Sequence, residues 1–414
     1  MTPPPSRRSA FVLALAGVVA ALLLAEGLLR LYVTIAGYPG EEATGWRNTT
    51  ELHEADVVVI GDSMVYGYNV PTQAAWPQQL GRMLHRPVYQ MAHGGWGPAE
   101  YLLTLKEALA LRPKVVIVGF YLGNDLGDAY AYVYHTAHHA GGVPDTRLSR
   151  FLTSDPKTRD LLQRAEAIDP GFRQWGVLRC DLDAHMVTPT PRWQPMGERL
   201  AASPPAGDGS AQPARSGESA GRVTSSIRPL LHASVLYQLG RPALSRTWRR
   251  VTHKGRDYGS PICVHFAEGR IRTVFGAADR LALLDLTDPR LAEGKRIGFA
   301  IFREMAERCR QAGVRFYIMI EPTKETVFRA RALSMMQDEP YLRAEWDAES
   351  GVRSETLSFL KAGGIAAIDP LPALEGVVAA GVNPYPATAD PHPIAAGYEA
   401  IARTAAERLR HDGF

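Results

Sequence analysis

The sequence predicts an α/β fold in which a parallel sheet is covered by helices on both faces. Three observations carry this. Short apolar runs rich in Val and Ile alternate with helix-length segments between residues 56 and 120. The same alternation resumes between residues 295 and 409. The first three runs each lead into a glycine-bearing turn: Gly61-Asp62-Ser63, Gly94-Gly95 and Gly123-Asn124-Asp125. Runs apolar at consecutive positions mean strands buried on both faces, as in parallel sheets. Right-handed crossovers then bring the carboxyl ends of the strands to one edge, where open α/β sheets bind their ligands.

The elements follow in order. Val57-Val58-Val59-Ile60 is the first strand. Gln73 to Leu84 reads as a helix, with Trp76, Leu80, Met83 and Leu84 on a helical spacing. Pro87 to Met91 is the second strand, Glu100 to Leu111 a helix, and Val115 to Phe120 the third strand. From Asp128 to Arg290 the alternation is lost, and residues 128–290 are expected to form an insertion, a lid or substrate wall. Within it, residues 200–226 are rich in Ala, Ser, Pro and Gly. They cannot bury much apolar surface, so disorder is expected. Leu230 to Trp248 has helical character, and Val264 to Leu284 reads as two short strands. Lys295 to Ala312 is amphipathic and stops at Gly313. Val314 to Ile320 is the fourth strand, Glu345 to Lys361 a helix, and Ile365 to Ile368 the fifth strand. Tyr398 to Leu409 closes the sheet pattern, with Ile401, Ala405 and Leu409 on one helical face.

The amino-terminal segment has a different character. Residues 1–9 are Pro-rich and carry Arg7 and Arg8, and residues 10–25 contain no charge. A bilayer core needs about 20 apolar residues as a helix. Residues 10–35 supply them if Glu26 and Arg30 snorkel at the outer interface. The expectation is a single-pass anchor with residues 1–9 in the cytoplasm and the rest exported. A polar connector would occupy residues 36–55 and the main domain residues 56–414. A cleaved signal peptide is the rival, but no small-x-small site follows Leu22-Leu23-Leu24.

Composition removes several function classes. Net charge is +3 and the pI about 8.7, with no long basic block, which argues against nucleic acid as a partner. Cys180, Cys263 and Cys309 lie too far apart for a zinc motif. They fit either one disulfide and one thiol or three thiols. His135, His138 and His139 are clustered, but a metal site would need a further ligand, and a solvated loop is the expected reading. Gly95-Trp96-Gly97 lacks the third glycine and acidic partner of a dinucleotide fingerprint.

Acyl transfer needs a nucleophile, a base, a group that orients the base, and oxyanion donors. Ser63, at the end of the first strand, is the candidate nucleophile. His392 is the candidate base, and Asp390, two residues earlier, the group that orients it. The oxyanion candidates are the backbone amides of Ser63 and Gly95 and the side-chain amide of Asn124. Asp62 reads as a turn residue supporting the nucleophile loop. Trp96 and Tyr121 flank the site loops, as packing residues or as platforms for a sugar. Glu321-Pro322-Thr323-Lys324 is expected at the pocket rim.

Gly61-Asp62-Ser63, Gly95, Gly123-Asn124-Asp125 and Asp390-Pro391-His392 together resemble the four blocks of the SGNH (GDSL-like) hydrolase superfamily. The resemblance covers residues 56–125 and 314–410. It implies a flavodoxin-like three-layer sandwich with five parallel strands and no metal or organic cofactor. It also implies Ser63 as nucleophile, Gly95 and Asn124 as oxyanion residues, and Asp390 with His392 completing the triad. The family usually has two residues between Asp and His. The single intervening Pro391 is similar to the alginate O-acetyltransferase-like proteins of the bacterial envelope. The block around Gly95 also lacks the preceding Asn often found in the family, Gln90 and Ala92 filling the nearby positions. The expected activity is hydrolysis of an O-acyl ester on an envelope glycan or a small ester. O-acyl transfer to a polysaccharide and a non-catalytic envelope assembly role are the alternatives.

Overall fold

The computed structural model describes residues 46–136, 147–169, 194–202, 264–336 and 338–414. Five parallel strands form the central sheet: β1 (Val57–Gly61), β2 (Val88–Ala92), β3 (Val115–Tyr121), then, late in the chain, Arg315–Glu321 and Ala366–Ile368. An antiparallel hairpin, β4 (Val264–Glu268) and β5 (Ile271–Phe275), precedes these last two, which become β6 and β7. The spatial order is β2-β1-β3-β6-β7. β1 lies between β2 and β3, with Val59 opposite both Gln90 and Ile117.

The strands are apolar at successive positions because both faces are covered. Val58, Ile60, Val116 and Val118 pack into one hydrophobic cluster, and Val57, Val59, Val115 and Ile117 into another. The first cluster takes Tyr101, Leu102 and Leu105 from the helix Pro98–Ala110, and Ile297, Ile301 and Phe302 from the helix Pro289–Gln311. The second takes Trp76 and Leu80 from Trp76–Leu84, and Ile401, Ala405 and Leu409 from Ala395–His411. Burying each such large side chain contributes about 1.5–3 kcal/mol.

Several boundaries differ from expectation, each for a local reason. A four-residue helix, Ser63–Tyr66, begins at the serine itself, because Asp62 caps it by accepting from Met64 N at 2.8 Å. The helix read from Gln73 starts at Trp76, after a separate 3-10 turn at Thr72–Ala74. The helix read from Lys295 starts at Pro289, capped by Asp288, and the one read from Glu345 starts at Pro340. Proline is favoured in the first helical turn, where its missing N–H costs nothing. The two short strands read within Val264 to Leu284 are β4 and β5, and the apolar run Leu281 to Leu284 belongs to a helix, Ala277–Leu284. Leu200 to Ala202 ends a helix, Met196–Ala202, so the expected disorder does not begin at residue 200; residues 203–226 lie outside the described residues.

The connector is not a free linker over its described part. Asn48 is buried against β2, an edge strand. Its Oδ1 accepts from Gln90 N at 2.9 Å, and its Nδ2 donates to Gln90 O at 3.0 Å. A side chain thus satisfies the edge that no strand pairs. The compact unit that holds the sheet begins at Trp46.

The expected anchor at residues 10–35 and the helical segment at 230–248 lie outside the described residues, as do Cys180, Cys263, His138 and His139. Among the described residues no helix is long and apolar enough to cross a membrane. Cys309 is a free thiol buried in the helix Pro289–Gln311, and burial pushes its pKa up to about 12.

Candidate active site

Ser63 stands where β1 turns into its short helix. The helix lies close over the strand ends because two glycines make room for Val65: a Cβ on Gly61 or on Gly119 would collide with the Val65 side chain. Tyr66 N donates to Asp62 O at 2.9 Å and Gly67 N to Ser63 O at 3.1 Å, which closes the turn. Gly67 ends it at φ +83°. Ser63 Oγ donates to Asp62 Oδ2 at 3.4 Å, a long bond.

Asp62 is completely buried, and burial raises its pKa to about 6, against the lowering effect of the Met64 backbone N–H and the nearby His392. Glu321, at the end of β6, lies in the same buried region. Burial, with the charge of Asp62 second, drives its carboxyl well above the usual range, against the lowering effect of the Trp76 side chain. Two carboxyls beneath one serine cannot both ionise cheaply. Glu321 is the one kept neutral.

Asp390 and His392 meet as expected. His392 Nδ1 lies 2.6 Å from Asp390 Oδ1, and the His392 backbone N–H donates to the same oxygen at 2.9 Å. Burial raises the Asp390 carboxyl, but these His392 bonds outweigh it and leave the pKa below the usual value. With Nδ1 tied to a carboxylate, Nε2 is the nitrogen left to act as base.

The loop after the serine helix holds this pair at the site. The Tyr68 ring packs edge-on to the His392 ring, with centroids 4.9 Å apart. Asn69 Nδ2 donates to His392 O at 3.1 Å. Arg47 fixes that loop in turn, donating to Tyr66 O at 2.8 Å and to the carbonyls of Gly67 and Val70. The Ser63 hydroxyl is turned to Asp62 and not to the imidazole. Catalytic hydrogen bonds commonly tighten only with substrate present.

The oxyanion candidates occupy two further turns at the same edge. Gly95 is exposed at φ +81°, a backbone form that suits glycine. Gly94 meets Tyr68 so closely that a Cβ would overlap the phenol oxygen. Asn124 Nδ2 donates to Asp128 Oδ2 at 2.9 Å, its amide also hydrogen-bonds towards Asp62, and its buried Oδ1 has no partner. To serve an oxyanion, this amide has to release one of the two carboxylates. Asp125, in the same turn, is structural: Tyr101 Oη and Tyr121 N both donate to it at 3.1 Å, and burial lifts its pKa well above the usual range.

Three side chains at this edge, Tyr68, Asn69 and Arg280, were not singled out for a role from the sequence, and Lys324 was read only as part of the expected rim. Tyr68 and Asn69 follow the serine by only a few residues, and their turn composition was the available signal. Arg280, from the insertion, donates Nη1 to Gly123 O at 3.1 Å and lies over the Tyr121 ring at 5.8 Å. Lys324 is buried and donates Nζ to Thr388 O at 2.8 Å and to Asp390 O at 3.2 Å.

The stretch Glu321–Lys324 therefore lies beneath the edge and not at a rim. Thr323 is held by two buried carboxyls, its Oγ1 lying 2.9 Å from Glu345 Oε1 and hydrogen-bonded to Glu349 as well. Tyr121 is buried and packs against Gly123, so it offers no face to a sugar. Trp96 is half-buried between His93, at a ring distance of 5.9 Å, and Trp46, at 5.5 Å. His135 Nε2 sits 3.1 Å from Glu166 Oε1, an acid shared with Tyr130 Oη. Among the described residues no cluster of His, Cys, Asp and Glu is arranged to hold a metal ion.

No protein-family model matches the chain, and no curated protein matches it in sequence.

Proposed function

We propose that the chain is an SGNH-type serine hydrolase that cleaves an O-acyl ester through an acyl-enzyme on Ser63. The single observation that carries this reading is the Asp390–His392 pair, with Nδ1 2.6 Å from the carboxylate, tethered to the loop that follows Ser63. The strand order, with β1 between β2 and β3, is the flavodoxin-like order of that superfamily and supports the same assignment.

In the proposed reaction His392 Nε2 removes the Ser63 hydroxyl proton as Oγ attacks the ester carbonyl. Asp390 stabilises the imidazolium. The amides of Ser63 and Gly95, with that of Asn124, receive the oxyanion, one such donor being worth roughly 3 kcal/mol. The imidazolium gives its proton to the departing alcohol. Water, deprotonated by the same nitrogen, then releases the acid and restores Ser63. An O-acylated envelope glycan or a small ester is the proposed substrate, and a residue 10–35 anchor would hold the domain on the outer side of a bacterial inner membrane.

A fluorophosphonate probe tests this. It should modify Ser63, read by mass spectrometry, and Ser63→Ala should lose both the label and hydrolysis of p-nitrophenyl acetate. Full ester hydrolysis by Ser63→Ala would sink the reading and favour a binding or assembly role. The one-residue gap between Asp390 and His392 favours O-acyl transfer as the second reading. Acetyl transfer to an added oligosaccharide, measured against hydrolysis, separates the two.

A further inference from the structure

Lys324, three residues after β6 ends, opens a four-residue helix, Lys324–Val327. Its side chain is completely buried, and its ammonium makes two hydrogen bonds to backbone across the site, to the carbonyls of Thr388 and Asp390. The segment it grips carries the acid and the base. Asn69 holds the other end of that segment at the His392 carbonyl. Between these two anchors the Asp390 carboxylate binds the His392 ring and backbone.

A buried ammonium is costly to a fold, and an apolar side chain of the same length would fill the space without that cost. Burial pushes the Lys324 pKa down to about 8. Glu325 and Asp390 oppose that shift, while Arg280 adds to it. The cost is local and falls beside the acid–base pair. Elsewhere along this edge the chain satisfies loop carbonyls with partly exposed groups such as Arg47 and Asn69.

We propose that Lys324 is a positioning residue for the acid–base pair, setting where the Asp390 carboxylate, and through it the His392 imidazole, stands relative to Ser63. This rests on the Ser63–His392–Asp390 reading above. Its consequence is kinetic: loss of the grip displaces the base and lowers kcat while leaving substrate binding alone.

The test uses the full chain, p-nitrophenyl acetate and the fluorophosphonate probe, with circular dichroism to establish folding. Lys324→Met should lower kcat and the labelling rate of Ser63 together, by roughly tenfold to a hundredfold, with KM near that of the wild type. Because Lys324 acts through His392, the double variant Lys324→Met/His392→Ala should be no slower in labelling than His392→Ala alone. Lys324→Arg keeps a permanent charge. It should recover part of the rate lost in Lys324→Met. A wild-type kcat in Lys324→Met overturns the proposal, as does a double variant slowed by the full factor of both singles. If Lys324→Met does not fold, Lys324→Arg decides: it should lower kcat and the labelling rate with KM near that of the wild type, and a wild-type kcat or a raised KM in it overturns the proposal. If His392→Ala hydrolyses ester as fast as wild type, the triad reading itself has failed.

Discussion

Asn69 donates its side-chain amide to the backbone carbonyl of His392 at 3.1 Å, across 323 positions of chain. Asn69 has φ +68°, a left-handed form that Asn tolerates better than most residues. The same residue therefore shapes the loop after Ser63 and tethers His392. Asn69→Gly keeps the backbone form and deletes the donor. The expected loss is about 1 kcal/mol of tether and a several-fold drop in kcat, with little change in melting temperature. Steady-state kinetics with an ester substrate checks this, and an unaltered kcat would show that the tether has no part in placing His392.

Asp62 predicts how stability varies with pH. Burial holds its folded pKa at about 6, whereas an exposed aspartate titrates near 3.9. Between these values the folded chain keeps the proton and the unfolded chain does not. This contribution is therefore fully present below about pH 4 and lost as pH rises through about 6, a swing of about 3 kcal/mol. Asp62→Asn still accepts from Met64 N through its carbonyl oxygen but does not titrate. Relative to wild type, its melting temperature should gain several degrees between pH 4 and pH 7. A constant difference across that range would contradict the assignment.

Gly94 and Tyr68 form a close contact that should be sensitive to a single methyl group. A Cβ at position 94 overlaps the Tyr68 hydroxyl, and the Tyr68 ring packs against His392. Gly94→Ala should push Tyr68 aside at a cost of about 1–3 kcal/mol and reduce activity. Adding Tyr68→Phe removes the atom in the way and should restore part of both. Thermal melts and kcat of the single and double variants measure the recovery. No recovery in the double variant would place the effect of Gly94→Ala elsewhere.

The strands and the chemistry-bearing turns were readable from sequence for a shared reason: each is a local signal. Val57 to Ile60 and Val115 to Phe120 are apolar at successive positions because both sheet faces are covered, and the polar turn after each marks the sheet edge. Asp390 and His392 lie two residues apart, so their meeting needed only a bend. Lys324 and Arg280 were different. Each acts on a backbone carbonyl 64 or 157 positions away, and nothing near either residue in sequence marks that contact. The helix Ala277–Leu284 was obscured because an apolar run of four residues fits a buried strand and a buried helix equally well. Asp125–Ala131, another helix not foreseen, contains Gly127 and begins on a turn that was read for its chemistry.

The position of the base in the chain has a consequence for the molecule's birth. Ser63, Gly95 and Asn124 all precede β4, while Asp390 and His392 follow β7, just before the helix Ala395–His411 that packs on Trp76–Leu84. On the proposed chemistry, a chain emerging as far as β7 carries its nucleophile and its oxyanion donors but nothing to take the serine proton. Such a chain is inert towards esters. On that reading reactivity arrives only when the last helix docks, so a half-made molecule cannot attack esters.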